Sequence, residues 1–444
     1  MRRNRRLVLW IVATVLLLGV LGAIAVRVGF GWYLGSEAFR KRMNAEVSRA
    51  LEADGEFLPL QITGSSVYSV GFEARGRAGA FFTTLRAQQV RAELDWRGVF
   101  RRVWRIEELT AQRLEVEFAT REVQPEAPRR AEPVVRRVAR SKRSSFKLDL
   151  REARVADSRW RWGSDAATAG SITGSALRIA PDGEAWLIHG TGGKLAQSGW
   201  PELAIEDAQL RYTRDTLFIT GSNLRHHEAR LAVSGEVRFD EAADLQVQLT
   251  DVPLEPLLPV DWRVRLHGNV SGLTRIHAPL AEVALMRTEG SLRLTNGHVE
   301  ALPVLNEIAL FMRTERFRRV VLTKASLDFV RDQQVLTATN VVLESEGLLR
   351  IEGQFTVAQE VIDGTFAVGV TAASLQWLPG AQARVFTVAR DGYLWTSMRV
   401  AGPVSRPSED LSPRLVQAVA GELLETPESM AREAVKLLRG LIPR

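Results

Sequence analysis

Very few residues in this 444-residue chain stand at spacings that would do chemistry. His226-His227-Glu228 is the densest histidine and carboxylate group, but a zinc-binding helix needs a second histidine one turn after His227, where Leu231 stands. The triplet therefore reads as a surface turn. His189-Gly190-Thr191-Gly192-Gly193-Lys194 has the composition of a phosphate loop, yet Ile188 occupies the place of the earlier glycine and Leu195 that of the Ser/Thr. That reading is rejected. His267 and His277 are isolated and read as structural or solvent-facing residues. Glu115 and Glu117 alternate with Leu114, Val116 and Phe118, which makes them the wet side of a strand. No carboxylate pair stands out for glycosidase chemistry, and no metal, cofactor or catalytic residue is expected.

The elements around these residues follow a period of two. Leu349, Ile351, Phe355 and Val357 share one face of a strand, while Arg350, Glu352, Gln354 and Thr356 take the other. The same cadence places Leu231, Val233, Val237 and Phe239 opposite Arg230, Ala232, Ser234, Glu236 and Arg238. Each of these strands leads into a short acidic turn and then another alternating strand. Val90 to Trp96, Leu114 to Phe118, Phe146 to Leu150, and stretches around Trp160, Leu177, Leu210 and Leu217 continue the pattern, as does Trp262 to His267. Asp182-Gly183, Asn296-Gly297, Asp363-Gly364 and Asp391-Gly392 read as turns.

Helices are few. Ser36 caps one in which Phe39, Met43, Val47 and Leu51 recur, placed to plug the start of the sheet; Pro303 opens a short one through Met312. After Pro403, Pro407 and Pro413, Leu411 to Leu424 and Pro427 to Leu441 read as two more, suited to cap a sheet end or lie on a membrane. The expected fold is mainly β: an elongated, twisted, mostly antiparallel groove with a few short capping helices, following an N-terminal transmembrane helix. Leaving four large apolar side chains of one strand in water would forgo about 6 to 12 kcal/mol. A second sheet, closure of the sheet on itself, or an apolar ligand must cover that face.

Leu7 to Val26 is a charge-free run long enough to span a bilayer, and Arg2, Arg3, Arg5 and Arg6 before it are expected to hold the short N-terminus in the cytoplasm. The alternative is a cleaved signal peptide, against which the run is long and passes into Phe30, Trp32 and Tyr33. Residues 1–35 therefore read as a basic tip and membrane anchor, 36–120 as a helix and the start of the sheet, 121–145 as a basic mobile loop, 146–402 as the continued sheet, and 403–444 as a helical tail. The net charge of +7 is concentrated at the N-terminus and in that loop, which holds Pro125, Pro128 and Pro133. This distribution does not make a nucleic-acid footprint. Arg129, Arg130, Arg136 and Arg137 in the loop suit contact with anionic lipid headgroups. The absence of cysteine excludes disulfides and thiolate metal sites.

The anchor, the helix from Ser36, the pattern Leu85-x-Ala87-x-x-Val90-x-Ala92-x-Leu94 followed by Ile106 and Leu114-x-Val116, the Gly290-Ser-Leu-Arg-Leu-Thr-Asn-Gly297 segment and the Ala401-Gly-Pro-Val-Ser-Arg-Pro407 ending resemble the AsmA-like family of bacterial envelope proteins. The resemblance implies a β-groove tethered to the inner membrane with its body in the periplasm. It also implies a relation to bridge-like lipid transfer proteins, with phospholipids as cargo and a role in outer-membrane homeostasis. The chain is short for the family, and the 121–145 insertion has no place in the family pattern. Moving a 16-carbon acyl chain through water costs about 13 kcal/mol, and an apolar groove removes most of that barrier without any catalytic residue. Leu231, Val233, Val237, Phe239, Leu349, Ile351, Phe355 and Val357 are the expected lining. A membrane-anchored scaffold for other envelope proteins and a β-solenoid carbohydrate enzyme stand as the alternatives.

Overall fold

A computed structural model of the chain describes residues 37–51, 53–77, 82–95, 103–118, 147–163, 166, 169–198, 200–213, 215–239, 241–280, 282–300, 319–376 and 380–424. The chain divides between Arg214 and Asp215 into two units, each built mainly of β-strands. Four expectations lie outside the described residues: the membrane run Leu7 to Val26, the loop with Arg129, Arg130, Arg136 and Arg137, the helix from Pro303 to Met312, and the helix from Pro427 to Leu441. Among the described residues, no helix is long and apolar enough to cross a membrane.

The first unit opens with helix α1 (Glu37–Ala50) and strands β1 (Ala53–Phe57), β2 (Leu60–Thr63), β3 (Ser66–Gly76), β4 (Phe82–Asp95) and β5 (Val103–Phe118). β1 and β2 both pair with β3, and β4 and β5 add antiparallel beside it. The strands β6 (Lys147–Leu150) and β7 (Ala153–Trp162) then lie parallel to β5. This is the one departure from antiparallel pairing among the described strands. β8 (Gly170–Asp182), β9 (Ala185–Thr191), β10 (Lys194–Gln197) and β11 (Leu203–Tyr212) complete the unit in antiparallel order.

α1 closes one end of this sheet. Its Val47, with Leu51 just beyond, packs on a core of Ala53, Phe72, Ala74, Phe82, Val90 and Val116. Polar side chains fix the docking: the Phe57 amide donates to Asn44 Oδ1 at 3.0 Å, and the Gly55 amide donates to Ser48 Oγ at 2.9 Å.

The second unit is a meander in sequence order. β12 (Thr216–His226), β13 (Ala229–Arg238), β14 (Ala242–Pro253), β15 (Leu266–Pro279) and β16 (Arg287–Glu300) pair each with the next. β17 (Arg319–Val321) and β18 (Lys324–Asp332) share β16 as their partner. β19 (Val335–Ser345), β20 (Leu349–Ala358), β21 (Val361–Thr371), β22 (Val388–Arg390), β23 (Tyr393–Pro403) and β24 (Ser408–Glu409) follow, all antiparallel. Two single-turn helices, α2 (Ala372–Leu375) and α3 (Ala381–Arg384), and the longer α4 (Leu411–Leu424) cover one end of the sheet. Leu375, Ala381, Phe386, Leu411, Leu415 and Ala418 meet Val299, Val320, Leu349, Val368, Val370 and Met398 in its main core.

Three local expectations differ. Trp262 to His267 was expected as a strand; instead Val260–Trp262 is a 3₁₀ turn, and β15 begins only at Leu266. Pro256 and Pro259 lock φ and remove amide donors in the approach, so a paired strand cannot begin there. Asn296-Gly297 is a bulge within β16 rather than a turn: the pairing steps from His267 with His298 to Asn269 with Thr295, leaving an extra residue opposite β15. Asp363-Gly364 lies inside β21, because Gln359 and Glu360, both at positive φ, make the hairpin turn first.

Candidate functional site

The register of the second unit joins the two halves of the expected lining. Val233 is opposite Val247, Val247 opposite Thr274, and Thr274 opposite Gly290. The row continues from Gly290 to Phe329, Ala338 and Phe355. A parallel row runs from Gly235 through Leu245, Ile276, Thr288, Arg331 and Leu336 to Val357. Cross-strand partners point to the same side of a sheet. Val233, Val237, Phe355 and Val357 therefore share one face, which runs on through Ile362, Phe366 and Val400 on β21 and β23.

The opposite face is charged and paired. Arg238 meets Asp244 at 2.8 Å, Arg350 meets Glu352 at 2.7 Å, and Arg399 meets Asp363 at 3.3 Å. Hydrogen bonding from His277 Nδ1 at 2.6 Å, reinforced by Arg238, holds the Asp244 carboxyl below the usual aspartate range. Solvent-accessible pairs of this kind contribute little each to stability. They show which side faces water.

Coverage of the apolar face is uneven. Leu349 is buried in the helix-covered core and Ile351 packs against it. Leu231 is also buried, at 8% exposure, but belongs to neither packed core. Val233, Val237, Phe355 and Val357 are only half-buried, as are Leu245, Val247, Ile276, Phe329 and Leu336 between them. Phe239 falls beyond the end of β13 and is 41% exposed. Along the described part of this face, the helices cover one end and leave the other accessible.

Glycines shape the same face. A Cβ on Gly272 would overlap the carbonyl oxygen of Ser291, and one on Gly290 that of Leu273. Bulges interrupt the pairing in β12, β14, β16 and β19. Both devices bend strands sharply.

The residues examined for chemistry are accounted for by ordinary structure. His226 ends β12 and His227, at φ 51°, turns the chain into β13. Gly192 and Gly193 join two strands rather than opening a helix, and Lys194 pairs with Glu202 at 2.7 Å. Glu117 accepts from the Thr84 hydroxyl at 2.8 Å and lies 3.7 Å from Arg161. Among the described residues no group of three or more histidines and carboxylates is placed to hold a metal. His267 and His298, cross-strand partners, stack at 4.7 Å between ring centroids. His267 looks isolated in the sequence, because its partner is 31 residues away and the bulge at Asn296 sets the register.

No family model, curated protein or solved structure matches the chain. The described fold and face define a mainly β protein, rich in antiparallel strand pairing, with a partly covered apolar surface.

Proposed function

We propose that this chain is an AsmA-like envelope protein, anchored in the inner membrane with its body in the periplasm, that shields the acyl chains of phospholipids in an apolar β-groove and so contributes to lipid transport and outer-membrane homeostasis. The observation that carries this reading is the row from Val233 to Phe355, a file across seven strands in which Thr274 is the one polar side chain and which no described helix covers. Its large side chains remain half-buried, so the face has room for an apolar occupant. Each methylene taken from water onto such a face gains about 0.8 kcal/mol, and the headgroup needs no pocket because it stays in water at the rim. The mechanism consists of shielding and sliding, and no bond is made or broken.

The test is native mass spectrometry with lipid extraction on protein purified from membranes in mild detergent. Phospholipid should accompany the unsubstituted protein and be lost when Asp replaces Val233 and Val357. Val357 serves better than Ile351 here, because Ile351 also supports the helix-covered core. A folded protein that never carries lipid would overturn the reading and favour the scaffold.

A further inference from the structure

The segment between β14 and β15 reaches a place that the strand order alone would not allow. The Trp262 indole N–H donates to the Val404 carbonyl at 2.8 Å. Trp262 lies just before Leu266, at the strand ends that also hold Val299, Leu349 and Val370. Val404 follows Pro403, at the opposite strand ends, and its amide donates to the Glu360 carbonyl in the β20 to β21 turn. Six strand steps separate β15 from β23, about 29 Å at 4.8 Å each, and a ten-residue strand such as β20 is about 33 Å long. A flat sheet cannot bring these two points together. The two rims of the second unit's sheet must curve toward one another, as its glycines and bulges permit.

The curvature encloses the apolar side. Thr274 and Ala338 on the central row are 8% and 1% exposed, whereas Gln246, Gln248, Arg275 and Arg293 on the charged side are exposed. The segment has its own fastenings. His267 Nδ1 lies 3.2 Å from Glu255 Oε1 near its base, and the Arg265 guanidinium lies 5.7 Å over the Trp262 ring toward its tip. Two 3₁₀ turns, Glu255–Leu257 and Val260–Trp262, stiffen it.

We propose that Leu254 to Arg265 is a releasable strap closing the apolar face from rim to rim, with Trp262 as its latch and Val404 as its catch. This deepens the function proposed above and rests on it for the nature of the cargo: an acyl chain entering sideways passes only when the indole leaves Val404. A single hydrogen bond to a backbone carbonyl suits a latch, because it can be broken without uncovering a charge.

The chain has no cysteine, so Leu336→Cys places a single thiol on the half-buried apolar face. Its maleimide labelling rate would be compared with and without Trp262→Phe, which keeps the ring and removes the donor. Trp262→Ala serves as a second variant that also removes the packing, and circular dichroism confirms that each folds. Labelling several-fold faster in either folded Trp262 variant supports the strap; equal rates in both overturn it. Uptake of a fluorescent phospholipid from vesicles is measured on the same proteins. Faster labelling with no lipid taken up by any form would keep the strap and overturn the cargo. Faster labelling with unchanged uptake would overturn the strap's role in entry.

Discussion

Val233 and Phe355 are 122 residues apart in sequence and share one cross-strand row, linked by Val247, Thr274, Gly290, Phe329 and Ala338. The energetic consequence is a difference between two parts of one face. Phe355 is half-buried and lies outside the helix-covered core, while Leu415 of α4 is 1% exposed within it. Phe355→Ala should therefore cost about 1 kcal/mol, the share expected from partial burial, and Leu415→Ala about 3 kcal/mol, with its cavity included. Urea midpoints of the two variants decide this. A Phe355 variant as damaging as the Leu415 variant would mean a filled, dry core.

The glycines on that face make a second prediction. Gly290→Ala forces a Cβ into the Leu273 carbonyl and the neighbouring backbone, and overpacking of this kind typically costs about 1 to 3 kcal/mol. Gly221→Ala meets nothing within 4 Å and should be neutral or slightly stabilising. Thermal melting of the two side by side gives the comparison, and equal melting temperatures would remove the close-approach argument.

Helix α1 offers a third. Ser48 is buried at 8% exposure, and its hydroxyl both receives the Gly55 amide and donates to the Gly55 carbonyl at 3.2 Å. Ser48→Ala leaves that backbone without its partner, at a cost of about 1 to 3 kcal/mol. Hydrogen exchange should rise at Gly55 and Phe57 before it rises in β4. Unchanged protection there would show that Val47, Leu51 and the Asn44 contact hold the helix without Ser48.

The period-two alternation made the strands and their two faces legible, because each side chain's side is a local property. Leu411 to Leu424 was legible as a helix for a similar reason, since Pro407 and the apolar spacing bracket it. The alignment of Leu231 and Val233 with Phe355 and Val357 was legible as likeness but not as position. Register passes through five intervening strands, and bulges shift it in four of the six pairings on the way. Leu349 and Ile351 show the same gap: their alternation matches Phe355, yet α2 to α4 cover only their end of the strand. Trp262 was hidden for another reason. Arg263, Arg265 and His267 alternate with Trp262, Val264 and Leu266, and the nearby Pro256 and Pro259 outweigh that pattern.

The His267 and His298 stack predicts a pH dependence. Burial, followed by the charges of Arg319 and His267, holds the His298 imidazole below its ordinary value, against the smaller pull of Glu300 and Glu255. Arg319 Nη2 lies 3.4 Å from His298 Nε2, and Glu300 Oε1 lies 3.5 Å from the same nitrogen. Between the ordinary imidazole value of about 6.5 and the lowered one, the unfolded chain holds a proton that the folded chain does not. Stability therefore rises with pH through that window and falls on acidification below about pH 6.5. His298→Asn removes this group and should flatten the fall in urea midpoint on acidification below about pH 6.5, relative to the unsubstituted protein. An identical slope in both proteins would assign the acid sensitivity to other groups, with Asp244 acting only at much lower pH because its carboxyl is held below the usual range.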